Sequence, residues 1–206
     1  MTDTHTDAAA ESPGVPILVT ERLMIRPLRP DDLDDCHRLY REISWDDTSL
    51  PEAENRARRA SWIDWSIAGY RELERLHQPP LGDRAIADRA SGRLIGLIGL
   101  VPCLAPFGQL PSQGAAEHAR ARFELGLFWA ISPARQGLGL ASEAARALVD
   151  HMFKVRRVER LIATTDYDNP ASMAVMRRLG MTLERNPFPD PFYLQVVGRL
   201  NAEDWA

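Results

Sequence analysis

At 206 residues the chain suits one domain with a sizeable core, and 45% hydrophobic with 26% charged residues is ordinary for a globular protein. A net charge of −4 argues against a nucleic-acid partner gripped through its phosphates. The two cysteines, Cys36 and Cys103, are too few for a disulfide framework and lack metal-ligand spacing.

Residues 1–15 are polar, acidic and small, without the basic start and apolar run of a secretory signal. They read as a disordered tail ahead of a single domain over residues 16–206. No stretch reaches the length of a membrane span, so no membrane partner is expected and a reducing cytoplasm fits. Residues 17–28 alternate as one strand. Pro30-Asp31-Asp32 then opens a helix, with Leu33, Cys36, Leu39, Tyr40 and Ile43 on one side. Residues 51–76 form a long helix whose Trp62, Trp65 and Tyr70 serve as core or as the wall of an acceptor pocket. Two strands, over residues 82–90 and 93–101, turn at Ser91-Gly92. Residues 102–120, rich in Pro, Gly and Gln, are expected to form a flexible flap.

The stretch over residues 122–147 organises the rest. Phe123, Leu125, Leu127 and Trp129 fall on one face of a strand, and Glu124, Gly126 and Phe128 on the other. Pro133 stops the strand, and Gln136-Gly137-Leu138-Gly139-Leu140-Ala141 leads into helical spacing at Leu140, Ala144, Ala147, Leu148 and Met152. Free amides at a helix start, reached by glycines without a Cβ, suit an anionic phosphate. A Walker-type loop is excluded, because no Lys-Ser/Thr follows the last glycine. A dinucleotide fingerprint fits poorly, with Ser142 in its third small position. A tight turn without a ligand is the bland alternative. Further on come a strand over residues 158–165, a short helix capped by Asn169-Pro170 and closed by Gly180, and strands over residues 182–185 and 193–200.

Gln136-x-x-Gly139-x-Ala141 resembles the Q/R-x-x-G-x-G/A signature of the GNAT superfamily of N-acetyltransferases. Ser142-Glu143-Ala144, the Thr20-Glu21-Arg22-Leu23 opening strand, and Asn169-x-x-Ser172 with Leu179-Gly180-Met181 resemble its ribosomal-protein N-terminal acetyltransferase branch. The three stretches occur in the expected order, over roughly residues 17 to 200. The resemblance implies an α/β (α+β) fold: a mixed, mostly antiparallel sheet of about seven strands, helices on both faces, and a V-shaped opening between strands four and five. It also implies acetyl-coenzyme A as donor and a primary amine, either a protein N-terminus or a small molecule, as acceptor. It is compatible with a homodimer.

On that basis Trp129, Ala130 and Ile131 would pair through their backbone with the pantetheine arm, and Gln136, Gly137, Leu138, Gly139, Leu140 and Ala141 would hold the pyrophosphate. Asn169 and Ser172 would reach the pantetheine and the departing sulfur. Their other reading is a helix cap and an ordinary first-turn residue. Arg177 or Arg178 would meet the nucleotide phosphate. Glu124 is the candidate base, since a carboxylate in an apolar strand is costly unless paired or working; its alternative is an ion pair with Arg122 or Arg160. Many members of the superfamily carry an acid tyrosine seven residues after the Asn, where this chain has Met176; Tyr167 is the fallback. No metal is expected. The alternative function is a non-catalytic acyl-coenzyme A sensor or interaction module.

Overall fold

A strand that is apolar on both faces must be covered on both, and the strand over Arg122–Ile131 dictates the layers. The computed structural model describes residues 15–205. The strands are β1 Leu18–Val19, β2 Leu23–Pro27, β3 Gly82–Asp88, β4 Leu94–Ala105, β5 Arg122–Ile131, β6 Arg160–Thr165, β7 Thr182–Arg185 and β8 Val196–Asn201. They form one sheet in the order β1-β2-β3-β4-β5-β6-β8-β7. The helices are α1 Leu33–Glu42, α2 Glu52–Arg75, α3 Leu140–Asp150 and α4 Pro170–Arg178.

Leu127 and Ile131 point to the face covered by α3 and α4, where Ala144, Leu148, Met152, Val175 and Met176 complete the largest apolar cluster. On the opposite face α1 and α2 bury Cys36, Leu39 and Ile63 against Leu28, Ala85 and Leu97, with Phe128 packed at the margin. Trp62 joins that cluster, whereas Trp65 is 69% exposed. A third cluster joins Phe107, Leu110, Ile162, Leu194 and Val197.

The sheet expected to hold about seven strands has eight. Residues 17–28 do not run as one strand, because Thr20 closes a tight turn. Its amide donates to the Leu23 carbonyl (2.9 Å), and its Oγ1 accepts from the Leu23 amide (3.0 Å). β1 therefore folds back on β2, with Leu18 opposite Ile25. The opening lies, by this count, between β5 and β6. These two strands are parallel and meet in register at one pair, Gly126 with Ile162. Toward Ile131 the free edge of β5 carries backbone groups that β4, on its other side, does not use.

Loop does not begin at residue 102. β4 continues through Pro102, opposite Leu125, to Ala105, and single 3-10 turns follow at Phe107–Gln109 and Pro111–Gln113. Phe107 and Leu110 are buried, and the Gln109 amide donates to the Glu117 and Asp190 carbonyls at 2.8 and 2.9 Å. The tail expected over residues 1–15 lies outside the described residues except for Val15, which is buried at 6% exposure.

Candidate active site

The turn from β5 into α3 is built by backbone conformations that suit glycine. Gly137 (φ 75°) and Gly139 (φ 77°) occupy the left-handed region, and Gly139 is the N-cap of α3, where no side chain caps the first turn. The Gln136 side chain reaches back to donate to the Ile131 carbonyl (3.0 Å), fixing the loop to the strand end. The amides that open α3 thus face a cavity of about 460 Å³.

That cavity brings together all the residues predicted to hold a cofactor except Leu138. Trp129, Ala130 and Ile131 form one lip. Gln136, Gly137, Gly139, Leu140 and Ala141 form the base, and Asn169 and Ser172 approach from α4. Leu138 stays out: it is 53% exposed, and its carbonyl accepts from Arg22 Nη1 at 3.0 Å. Asn169 caps α4 by accepting from the Ser172 amide (3.0 Å), so its capping role and its place on the cavity coexist. Of the two arginines named, Arg178 lines the cavity and Arg177 does not.

Sequence reasoning missed Ile43 and Trp45, which reach the cavity from the link after α1, and Arg135, Ser142, Ala171, Ala174 and Val175. Local spacing could have marked Ser142, Ala171, Ala174 and Val175, which flank the motifs. Ile43 and Trp45 carry no such signal. The Ser142 hydroxyl is buried with no hydrogen-bond partner. An orphaned donor at a helix start, beside an open space at Gly137 where an added Cβ meets nothing within 4 Å, fits a phosphate.

Glu124 is not brought to the cavity. Its carboxylate is held by Arg160 Nη1 at 3.2 Å and by Arg122 Nε at 3.6 Å, at the closed end of the opening. Five residues, about 17 Å of strand, separate it from Trp129. Met176 is fully buried in the core, and the Tyr167 hydroxyl donates to the Asn186 carbonyl under the Arg185 guanidinium. Neither thiol is poised as a nucleophile. Burial pushes Cys36 up to about 12, and burial with the Glu124 charge raises Cys103. Among the described residues no group of three or more His, Cys, Asp or Glu side chains is placed to hold a metal ion, and no helix is long and apolar enough to cross a membrane.

A parallel pair opening beside a glycine-built helix start defines an α/β protein in which a free strand edge and an uncapped helix start border one cavity. The sequence profile described as the acetyltransferase (GNAT) domain matches residues 22–182, and the chain belongs to that family. The family uses acetyl-coenzyme A. The uncharacterised N-acetyltransferase YnaD of Bacillus subtilis (strain 168) is 40% identical over 92 residues, a match spanning 40% of this chain and about half (51%) of that protein. The spermidine N(1)-acetyltransferase of Escherichia coli (strain K12) is 26% identical over 163 residues, 78% of this chain and 73% of that protein. The structure of Mycobacterium smegmatis RimJ, in complex with CoA-disulfide, shares the fold at a TM-score of 0.60, with 17% identity over 92% of this chain and 88% of its own.

Proposed function

We propose that the protein transfers the acetyl group of acetyl-coenzyme A to a primary amine, by direct attack of the amine in a ternary complex. The observation that carries this reading is the single cavity joining the free edge of β5, the uncapped start of α3 and the unpartnered Ser142 hydroxyl. When bound, the coenzyme supplies an activated thioester.

The chain's own residues supply placement. The amides following Gly137 and the Ser142 hydroxyl take the pyrophosphate, and Arg178 takes a further phosphate. The backbone of Trp129, Ala130 and Ile131 pairs with the pantetheine amides as a missing ladder partner would. Asn169 and Ser172 orient the sulfur end. The suppressed acidity of both thiols disfavours a covalent enzyme intermediate, which supports direct attack. An attacking amine must lose its proton, and Glu124 or a water chain running from it takes that role. The setting we infer is the cytoplasm.

A second reading, an acyl-coenzyme A sensor without turnover, is favoured by one observation: the titratable side chains lining the cavity are Arg135 and Arg178, neither of which serves as a base. Thiol release from acetyl-coenzyme A in the presence of an amine panel separates the two. Release that depends on an amine supports transfer. Tight binding with no release for any amine supports the sensor.

A further inference from the structure

A buried imidazole on α1 is left unsatisfied at both of its nitrogens. His37 is 7% exposed, and neither ring nitrogen makes a hydrogen bond. Each nevertheless faces a carboxylate. Nδ1 lies 3.8 Å from Asp46 Oδ2, in the link between α1 and α2, and Nε2 lies 3.6 Å from Oε1 of Glu52, the first residue of α2. Both gaps exceed the reach of an N–H···O bond. A neutral imidazole carries one N–H and one bare lone pair, so it serves one of these carboxylates and turns a lone pair toward the other. Only the imidazolium, with a proton on each nitrogen, suits both at once.

The charges around it are otherwise paired. Arg59 Nη2, from α2, lies 3.3 Å from Asp46, and Arg41 Nη1 lies 2.8 Å from Glu52. On α1 itself Asp34, Arg38, Arg41 and Glu42 border a surface groove with His37. There Arg56 of α2 pairs with Asp34 at 2.6 Å, and Arg38 pairs with Asp35 at 2.6 Å and Glu42 at 3.3 Å. Arginines stay charged at any working pH, whereas an imidazole changes charge between about pH 5 and 8. Beyond Arg59 stands Asp83 of β3, which burial pushes up to about 6.

The link over residues 43–51 brings Ile43 and Trp45 to the cofactor cavity, and it is held there under strain. Ser44 occupies the left-handed region (φ 59°), which costs a residue that carries a Cβ. Such a segment keeps its course only while its contacts hold it. The Trp45 amide donates to the Tyr40 carbonyl (2.8 Å), and the Asn55 side chain bonds the Asp47 carbonyl and amide at 2.9 and 3.3 Å. Just before the link, Glu42 accepts from Ser132 Oγ (2.5 Å), one residue past the cavity lip at Ile131. Between these pins, Asp46 is the link residue that His37 faces, and Trp45 is its neighbour.

Resting on the cofactor reading above, we infer that His37 is a proton-operated latch on the wall of the coenzyme cavity. Protonated, it donates to Asp46 and Glu52 together, ties the link to both helices and holds Trp45 and Ile43 in place. Neutral, it lets go of one carboxylate, and the wall loosens.

Coenzyme A is the probe, titrated calorimetrically into the full chain at about pH 5.5 and about pH 8. The proteins compared are the wild type, the uncharged variants His37→Gln and His37→Leu, and Asp83→Asn, each checked for cooperative melting. The ligand's own phosphate titrates alike in every arm. The ratio of acid to alkaline affinity is expected to be about fivefold larger in the wild type than in either His37 variant, the low end of ordinary coupling between sites. Asp83→Asn should keep the wild-type ratio. Amide exchange over residues 43–51, read without ligand, should be slower in the wild type than in the His37 variants at about pH 5.5 and equal at about pH 8. Equal affinity ratios in the wild type and the His37 variants, or loss of the wild-type ratio in Asp83→Asn, overturns the latch and leaves coenzyme binding standing. If coenzyme A binds at neither pH, the cofactor reading fails by itself and amide exchange decides: extra protection confined to acid supports the latch, and equal protection overturns it.

Discussion

Arg22 and Glu143, 121 residues apart, are locked together beside the glycine turn that opens α3. Arg22 Nε donates to Glu143 Oε2 at 2.7 Å, its Nη2 lies 2.6 Å from the same oxygen, and the Arg22 amide donates to Oε1 at 3.0 Å. Thr20 Oγ1 adds a 2.5 Å bond to Oε1, and Arg22 Nη1 holds the Leu138 carbonyl. The turn that splits the first strand thus clamps both the glycine loop and the first turn of α3.

Loosening this clamp should cost cofactor affinity rather than turnover. Arg22→Ala is expected to weaken coenzyme A binding about tenfold, by freeing a loop that must otherwise be ordered on binding. Isothermal calorimetry reads this directly, and wild-type affinity in Arg22→Ala would remove the clamp from cofactor binding. Acid should do the same. Burial tends to raise the Glu143 carboxyl, but the bonds from Thr20 and Arg22 outweigh it and hold the group below its usual range. A depressed carboxyl stabilises the fold above its unfolded value and loses that contribution as pH falls through the folded one. Glu143→Gln should therefore flatten the acid limb of a Tm-against-pH profile.

Gly139→Val is predicted to destabilise the protein by about 1–2 kcal/mol, because a β-branched residue is forced into the left-handed region. It should also raise the Kd for coenzyme A. Unaltered affinity with a lowered Tm would separate the turn's folding role from ligand binding and count against the cradle.

For Glu124→Gln the expectation is lower kcat with coenzyme A affinity nearly intact, since the side chain lies off the cavity. A kcat that does not move assigns Glu124 to its ion pairs with Arg122 and Arg160 and leaves deprotonation to water.

Asp83 should reverse the usual sign. Its folded value of about 6 exceeds the ordinary carboxylate value, so the native state binds the extra proton and stability falls as pH rises from about 4 to about 6. Asp83→Asn is expected to gain about 1–3 kcal/mol at pH 7.5 and little at pH 4.5. Denaturant melts at the two pH values check it, and a loss at pH 7.5 would show the charge to be stabilising.

Much of this was legible in the chain because the signals are local. Two glycines before an apolar helical period announce the β5–α3 turn, and Asn169-Pro170 announces the start of α4. What stayed hidden depends on contacts between distant segments. Thr20 looked like one more strand residue, since nothing near it shows that its hydroxyl will close a turn on Leu23. The proline-rich stretch after Pro102 read as loop, although its Phe107 and Leu110 find a core in Ile162 and Val197. Trp45 sits in a polar linker and gains its place on the cavity only because α1 ends there. Nothing beside Glu124 in the chain separates a base from an ion-pair partner, and the arginine that decides its surroundings arrives from β6.

The seam between β5 and β6, touching at Gly126 and Ile162, divides the sheet into five strands on one bank and three on the other. Any guest spanning both banks acts as a splint and lends the fold about 2.7 kcal/mol once present at a hundredfold excess over its dissociation constant. With the proposed donor as that guest, the protein's lifetime in a cell would rise and fall with the donor's supply, with no dedicated regulator needed.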